Sequence, residues 1–207
     1  MPRLARENTL ASFALALESG ADGIELDVHA TWDGVVVVNH DAALQSGADI
    51  ASLTLAQLMA AGGTQEQVPT LREVCAWLRG AVELFVEIKG ANIDGEVEKA
   101  LHGYDGRVAI HSFDHGLIGR LAERSAFRLG ILIERRDVPV AEAMSAAGAT
   151  DVWPHYPIVD QRLVDTVHAA GGRVIPWTVN EPAQVRQLTL TGVDGLCGDD
   201  VRIFAAR

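Results

Sequence analysis

"RVAIHSFDHGLIGRLAERSAFRLGILI", residues 107–133, is the stretch on which the reading of the fold turns. Two short apolar runs rich in β-branched residues flank "DHGLIGRLAERS", a segment of helical character that opens on Asp114. A strand, a helix and a second strand in that order form a βαβ crossover, which pairs its strands in parallel.

The same unit repeats outward in both directions. Strand-like runs recur at "ELFVEIK" (83–89), "RVAIHSF" (107–113), "RLGILI" (128–133), "TDVWPH" (150–155), "RVIPWTV" (173–179) and "VDGLCGD" (193–199). The connecting segments "VPVAEAMSAAGA", "DQRLVDTVHAAGG" and "EPAQVRQLTLTG" resemble helices, several starting near Asp, Glu or Pro and stopping at Gly. Near-uniform alternation predicts a parallel sheet, doubly wound or closed into a barrel. The strand ends favour the barrel: Glu87 and Lys89, His111 to Phe113, Trp177 to Asn180 and Asp199 are polar or aromatic. In a (β/α)8 barrel such ends converge on one mouth, whereas a doubly wound sheet gathers only those beside its switch point.

Ahead of these units, "NTLASFALALESG" (8–20) predicts a helix capped by Asn8 or Thr9 and stopped at Gly20, followed by the strand "ADGIELDV". The fold class is therefore α/β, a TIM (β/α)8-type barrel with seven of eight strands, a β-hairpin and a short insertion at about 41–69. At 207 residues, a single domain spanning 1–207 can bury a sizeable core.

Composition excludes several classes of function. A net charge of -11 opposes nucleic acid, which is held by clustered Lys and Arg. A run of about 18 apolar residues, needed for a transmembrane segment, is absent, as is a charged-then-apolar leader. Cys75 and Cys197 lack metal-ligand spacing and read as buried free thiols, so a cytoplasmic location is expected.

The chemistry concentrates in "GIELDVHATWDGVVVVNHD" (23–41). Too few residues separate its two apolar runs for a parallel crossover, so they must form an antiparallel hairpin. With Asp33-Gly34 as a two-residue turn, Asp27 falls opposite His40, and Glu25 shares the face of Asp27. Adjacent carboxylates in a low-dielectric setting repel unless a cation lies between them, and oxygen donors suit Mg2+ or Ca2+. Glu87, also at the end of an apolar strand, is the natural third ligand. Lys89, one of only two lysines, points the same way as Glu87 and suits a phosphate. A metal, a lysine and His40 as proton carrier suit phosphoryl transfer. His111 and Phe113, at the barrel mouth, are candidate substrate-binding residues, with simple packing as the alternative for His111.

In this order, "ENTLASFALALESGADGIELDVHATWDGVVVVNHD" (7–41), "VPTLREV" (68–74), "VEIK" (86–89), "HSF" (111–113), "WTVN" (177–180) and "GVDGLCGDD" (192–200) resemble the glycerophosphodiester phosphodiesterase family. The resemblance implies a TIM barrel that hydrolyses small-molecule glycerophosphodiesters to glycerol 3-phosphate and an alcohol, using a divalent metal and two histidines. It implies Glu25, Asp27 and Glu87 as metal ligands, His40 as one acid/base residue, Lys89 as a phosphate contact and Trp177 in the glycerol pocket. It also suggests that the glycerol 2-hydroxyl attacks first, giving a cyclic phosphate. Family members begin with a strand ending His-Arg-Gly, which supplies the other histidine. Here the chain opens on Met1-Pro2-Arg3, so a truncated start and low activity are expected. The alternative is a catalytically inactive barrel acting as a binding protein.

Overall fold

The computed structural model describes residues 1–62 and 68–205, so residues 63–67 of the predicted insertion lie outside the described residues. The fold is α/β, with seven strands and eight α-helices among the described residues. It falls into two compact units.

The first unit comprises residues 2–18 and 22–108. It holds α1 (Leu10–Glu18), β1 (Gly23–Ala30), β2 (Val36–Val38), α2 (Leu55–Gly62), α3 (Leu71–Leu78), β3 (Glu83–Ile88) and α4 (Asp94–Leu101). β1 is central, pairing antiparallel with β2 and parallel with β3. The antiparallel hairpin follows from its short loop, and the return to β3 from a connection long enough to carry α2 and α3. A capping box starts α3: the Thr70 hydroxyl accepts from the Glu73 N–H at 3.2 Å, and the Glu73 carboxylate accepts from the Thr70 N–H at 2.8 Å. Leu71, Val74 and Leu78 give that helix its buried face.

The hairpin forms as predicted, but its register differs by one residue. Val28 pairs with Val38, His29 with Val37 and Ala30 with Val36. Asn39, and not His40, therefore lies opposite Asp27, its N–H donating to the Asp27 carbonyl at 3.0 Å. The cause is the loop. A two-residue type I′ turn requires positive φ at both central residues, and Asp33 does not adopt it. The chain instead uses the three-residue loop Trp32-Asp33-Gly34, closed by Thr31 N–H to the Val35 carbonyl at 3.0 Å and Gly34 N–H to the Thr31 carbonyl at 2.9 Å. Gly34 alone takes the left-handed conformation, at φ 76°.

The segment after the hairpin builds its own small core. Leu44, Ile50, Leu58 and Val68 pack on Val37 of β2, with Leu53 and Leu55 at the margin. Asp33 ties this layer to the loop by accepting from the Leu55 N–H at 3.0 Å.

The second unit comprises residues 109–207 with Met1 and 19–21. Its elements alternate strictly: β4 (Val108–Ser112), α5 (His115–Ala122), β5 (Arg128–Ile133), α6 (Val140–Ala147), β6 (Asp151–Pro154), α7 (Gln161–Ala169), β7 (Arg173–Val174) and α8 (Pro182–Thr191). All pairings along β4-β5-β6-β7 are parallel. Asp114 and Asp160 accept from backbone N–H groups to cap α5 and α7, while Gly148 and Gly192 close α6 and α8 in the left-handed conformation. Asp151, fully buried at the start of β6, is held by Arg128 at 2.6 Å and by Arg173 through two hydrogen bonds of 2.9 and 2.6 Å.

The run "VDGLCGD", predicted as a strand, is not a regular one. It follows the chain beyond β7 through bonds from Asp194 and Gly195 N–H to the Val174 carbonyl and from Cys197 N–H to the Pro176 carbonyl. Two local features interrupt the ladder. The Asp194 carboxylate accepts from the Val174 N–H at 2.7 Å, where a neighbouring carbonyl would normally do so, and Pro176 has no N–H to give. Among the described residues, no helix is long and apolar enough to cross a membrane.

Candidate active site

Side chains in a strand alternate between faces, and parallel partners share one. β1 and β3 place Asp27 opposite Glu87 and Glu25 opposite Phe85, so Glu25, Asp27 and Glu87 stand on one face of the sheet. Carboxylate oxygens of Glu25 and Glu87 lie within 4.8 Å of each other. Lys89 follows directly on β3, its N–H continuing the ladder to the Val28 carbonyl. Its ammonium sits 3.4 Å from Asp27 Oδ1 and 3.5 Å from Glu87 Oε1.

Asp27 and Glu87 are buried, so the group lies where charge is poorly screened. Desolvation, then the negative charge of Asp27, pushes the Glu25 carboxyl well above the usual carboxylate range, against the opposing pull of Lys89 and His40. Desolvation would lower Lys89, but the charges of Asp27 and Glu87 outweigh it and hold the ammonium up. Three carboxylates and one ammonium leave an excess of negative charge.

His40 reaches this group by a route that the predicted register did not supply. Asn39 leaves the ladder, its side-chain amide donating to the Asp41 carbonyl at 2.9 Å and accepting from Arg6 at 3.1 Å. The buried His29 donates through Nε2 to the His40 carbonyl at 3.2 Å. His40 then presents Nε2 to Lys89 Nζ at 3.1 Å and Nδ1 to Asp41 Oδ1 at 2.8 Å. An ammonium only donates, so Nε2 is the acceptor and Nδ1–H donates to Asp41. Desolvation pulls the His40 pKa down, but the Asp41 hydrogen bond and the Asp27 charge outweigh it, and the net shift is upward.

The structure thus brings Glu25, Asp27, Glu87, Lys89 and His40 together. Sequence reasoning missed Asn8 and Asp41 as parts of this group. Asp41 stands in the "HD" pair, whereas Asn8 is expected only as one of two candidate helix caps, the other being Thr9. Thr9 does the capping, accepting from the Ser12 N–H at 3.3 Å. Asn8 donates to Asp27 Oδ2 at 2.9 Å and accepts from the Asp27 N–H at 3.1 Å.

In the second unit, Phe113 meets Trp177 edge-on, with ring centroids 5.7 Å apart. His155 lies 5.2 Å from Trp177 and 5.3 Å from Tyr156, so two residues outside the predicted set join this aromatic group. Trp177 is anchored by its indole N–H, which donates to the Trp153 carbonyl at 2.9 Å. His111 is buried flat against the Trp153 ring, with ring centroids 4.3 Å apart.

A model of the glycerophosphoryl diester phosphodiesterase family matches residues 1–203. The chain belongs to this family. A glycerophosphodiester phosphodiesterase of Caldanaerobacter subterraneus is 32% identical over 216 residues, covering 94% of this chain and 88% of its own. Among solved structures, a glycerophosphodiester phosphodiesterase of Thermotoga maritima is 27% identical at a TM-score of 0.85, covering 98% of this chain and 92% of its own. An Oleispira antarctica phosphodiesterase, solved with the product sn-glycerol-3-phosphate, shares the fold at a TM-score of 0.88 and 23% identity, over 98% of this chain and 91% of its own. The fold class read from the alternating units, a TIM-type α/β barrel fold, is that of this glycerophosphodiester phosphodiesterase family.

Proposed function

We propose that the chain hydrolyses glycerophosphodiesters to sn-glycerol 3-phosphate and an alcohol, with a divalent metal held by Glu25, Asp27 and Glu87. The observation that carries this reading is the parallel register of Asp27 with Glu87, which gathers three carboxylates and Lys89 on one face in a chain of this family. An all-oxygen donor set with excess negative charge fits a hard cation, Mg2+ or Ca2+. When bound, such an ion neutralises charge on phosphoryl oxygens.

The chain's own residues have distinct tasks in this proposal. Lys89 exchanges its contact with His40 Nε2, and part of that with Asp27 and Glu87, for a phosphate oxygen, which frees the Nε2 lone pair. His40 carries the proton: neutral, with Nε2 as acceptor, it takes a proton from the attacking hydroxyl, and once protonated it returns one to the leaving oxygen. Asp41 keeps the Nδ1–H in place through both states. Trp177, Phe113 and His111 are proposed to contact the substrate, with the exposed Phe113 offering apolar surface to its carbon skeleton.

The test is release of glycerol 3-phosphate from glycerophosphocholine, with and without EDTA, by wild type and Glu87→Gln. Turnover that EDTA abolishes and added Mg2+ or Ca2+ restores, with a large loss in Glu87→Gln, supports the proposal. Tight binding of the diester without turnover by wild type would instead establish the non-catalytic reading.

A further inference from the structure

We propose that Asn8 is a positioning residue for Asp27, selecting which of its carboxylate oxygens is presented to a divalent cation. This rests on the reading of Asp27 as a metal ligand given above.

Asn8 spends both ends of its amide on one partner. Its Nδ2 donates to Asp27 Oδ2 at 2.9 Å, and its Oδ1 accepts from the Asp27 N–H at 3.1 Å. With Oδ2 tied to Asn8, Oδ1 is the oxygen that faces Lys89 at 3.4 Å. A carboxylate held at one oxygen loses its freedom to flip between equivalent rotamers, so the other oxygen has a fixed address.

The second bond explains why the asparagine stands at this place. Asn39 lies opposite Asp27 and donates its N–H to the Asp27 carbonyl, and in a regular ladder such a pair would exchange a second bond in return. Here β2 has begun to leave, and the Asp27 N–H goes to the Asn8 side chain. A buried N–H requires a partner, and Asn8 provides it where the strand no longer does. The substitution lets residues 39–41 turn away, which carries His40 to Lys89.

Asn8 is itself buried and takes φ 56°, a left-handed conformation that asparagine adopts more readily than most residues. That conformation permits a control. Asn8→Gly keeps the backbone at low cost and removes the clamp, while Asn8→Asp keeps the size and sets a like charge against Asp27.

The experiment is calorimetric titration of Mn2+ into the metal-free full chain, wild type and both variants, with circular dichroism of each before titration. The expected result is a native spectrum for Asn8→Gly and an affinity weakened about 10- to 100-fold, as for other residues that orient metal ligands. Affinity in a folded Asn8→Gly within about twofold of wild type would overturn the proposal. A measurement on unaltered protein accompanies it: the side-chain amide resonances of Asn8 should move when diamagnetic Mg2+ is added, and those of Asn180, bonded to Asp199, should not. An Asn8 signal unmoved at saturating Mg2+ would also sink the idea. Should wild type take up neither cation, the metal-site reading falls and this proposal with it. Should wild type bind and Asn8→Gly bind equally well, only this proposal falls.

Discussion

His40 is held at two nitrogens by partners of opposite charge, and each has its own consequence. Lys89 donates into the lone pair of Nε2, so that nitrogen carries no proton, and Asp41 at Nδ1 stabilises the protonated ring. The folded pKa is raised above the ordinary histidine value of about 6.5. Protonated His40 therefore adds stability that is fully present below about pH 6.5 and is lost as pH rises through the raised folded value. If His40 acts as a base, the acid limb of kcat/KM should fall at a pH above that ordinary value. Asp41→Asn should move the limb to lower pH, and His40→Ala should lower kcat by roughly 10²- to 10⁴-fold. Steady-state pH profiles of the two variants check both statements, and a limb that stays in place in Asp41→Asn would remove Asp41 from the proton-transfer scheme.

At the scale of elements, the hairpin decides where His40 stands, and Gly34 decides the hairpin. A Cβ at Gly34 would meet only Glu96 Cγ, at 3.8 Å, so space is available and the cost of a side chain lies in the backbone at φ 76°. Gly34→Val should destabilise the chain by about 1–2 kcal/mol, and Gly34→Asn by less, read as urea midpoints. An unchanged midpoint for the valine variant would mean that the loop can adopt another turn and shift register. This loop also marks the boundary of what the sequence discloses. The alternation of β4 to β7 with α5 to α8 was legible because each unit buries apolar runs of different period and ends on recognisable caps. The grouping of Glu25, Asp27, Glu87 and Lys89 was legible for a similar reason: residues two apart on a strand share a face whatever the turn. The register was not, since two loop lengths fit "TWDGV" and differ by a single hydrogen-bonding choice. The interruption beyond β7 was equally hidden, because Asp194 reaches Val174 N–H across 20 residues of sequence. The contact of Asn8 with Asp27 was hidden because the residue type that caps helices is also the one that tolerates a left-handed backbone.

Over the whole molecule, 28 acidic residues against 17 basic ones give a net charge of -11, a field that opposes the approach of anions. An anionic diester such as glycerophosphoglycerol should therefore be turned over with a kcat/KM that rises with added salt, relative to the zwitterionic glycerophosphocholine. Parallel salt titrations of the two substrates check this, and identical salt dependence would show that the local cation field of the site dominates the global one. The same composition leaves lysine almost unused, with Lys89 among the carboxylates and Lys99 exposed on α4. For amine-directed acylation, that scarcity turns two side chains into separate chemical channels. Exposed Lys99 should react first, while Lys89, its ammonium stabilised by Asp27 and Glu87, should lag. An added divalent cation that occupies those carboxylates would remove what stabilises the ammonium and speed the slow channel. The ratio of the two acylated peptides in a mass spectrum would then serve as a built-in reporter of site occupancy, requiring neither substrate nor a substituted residue.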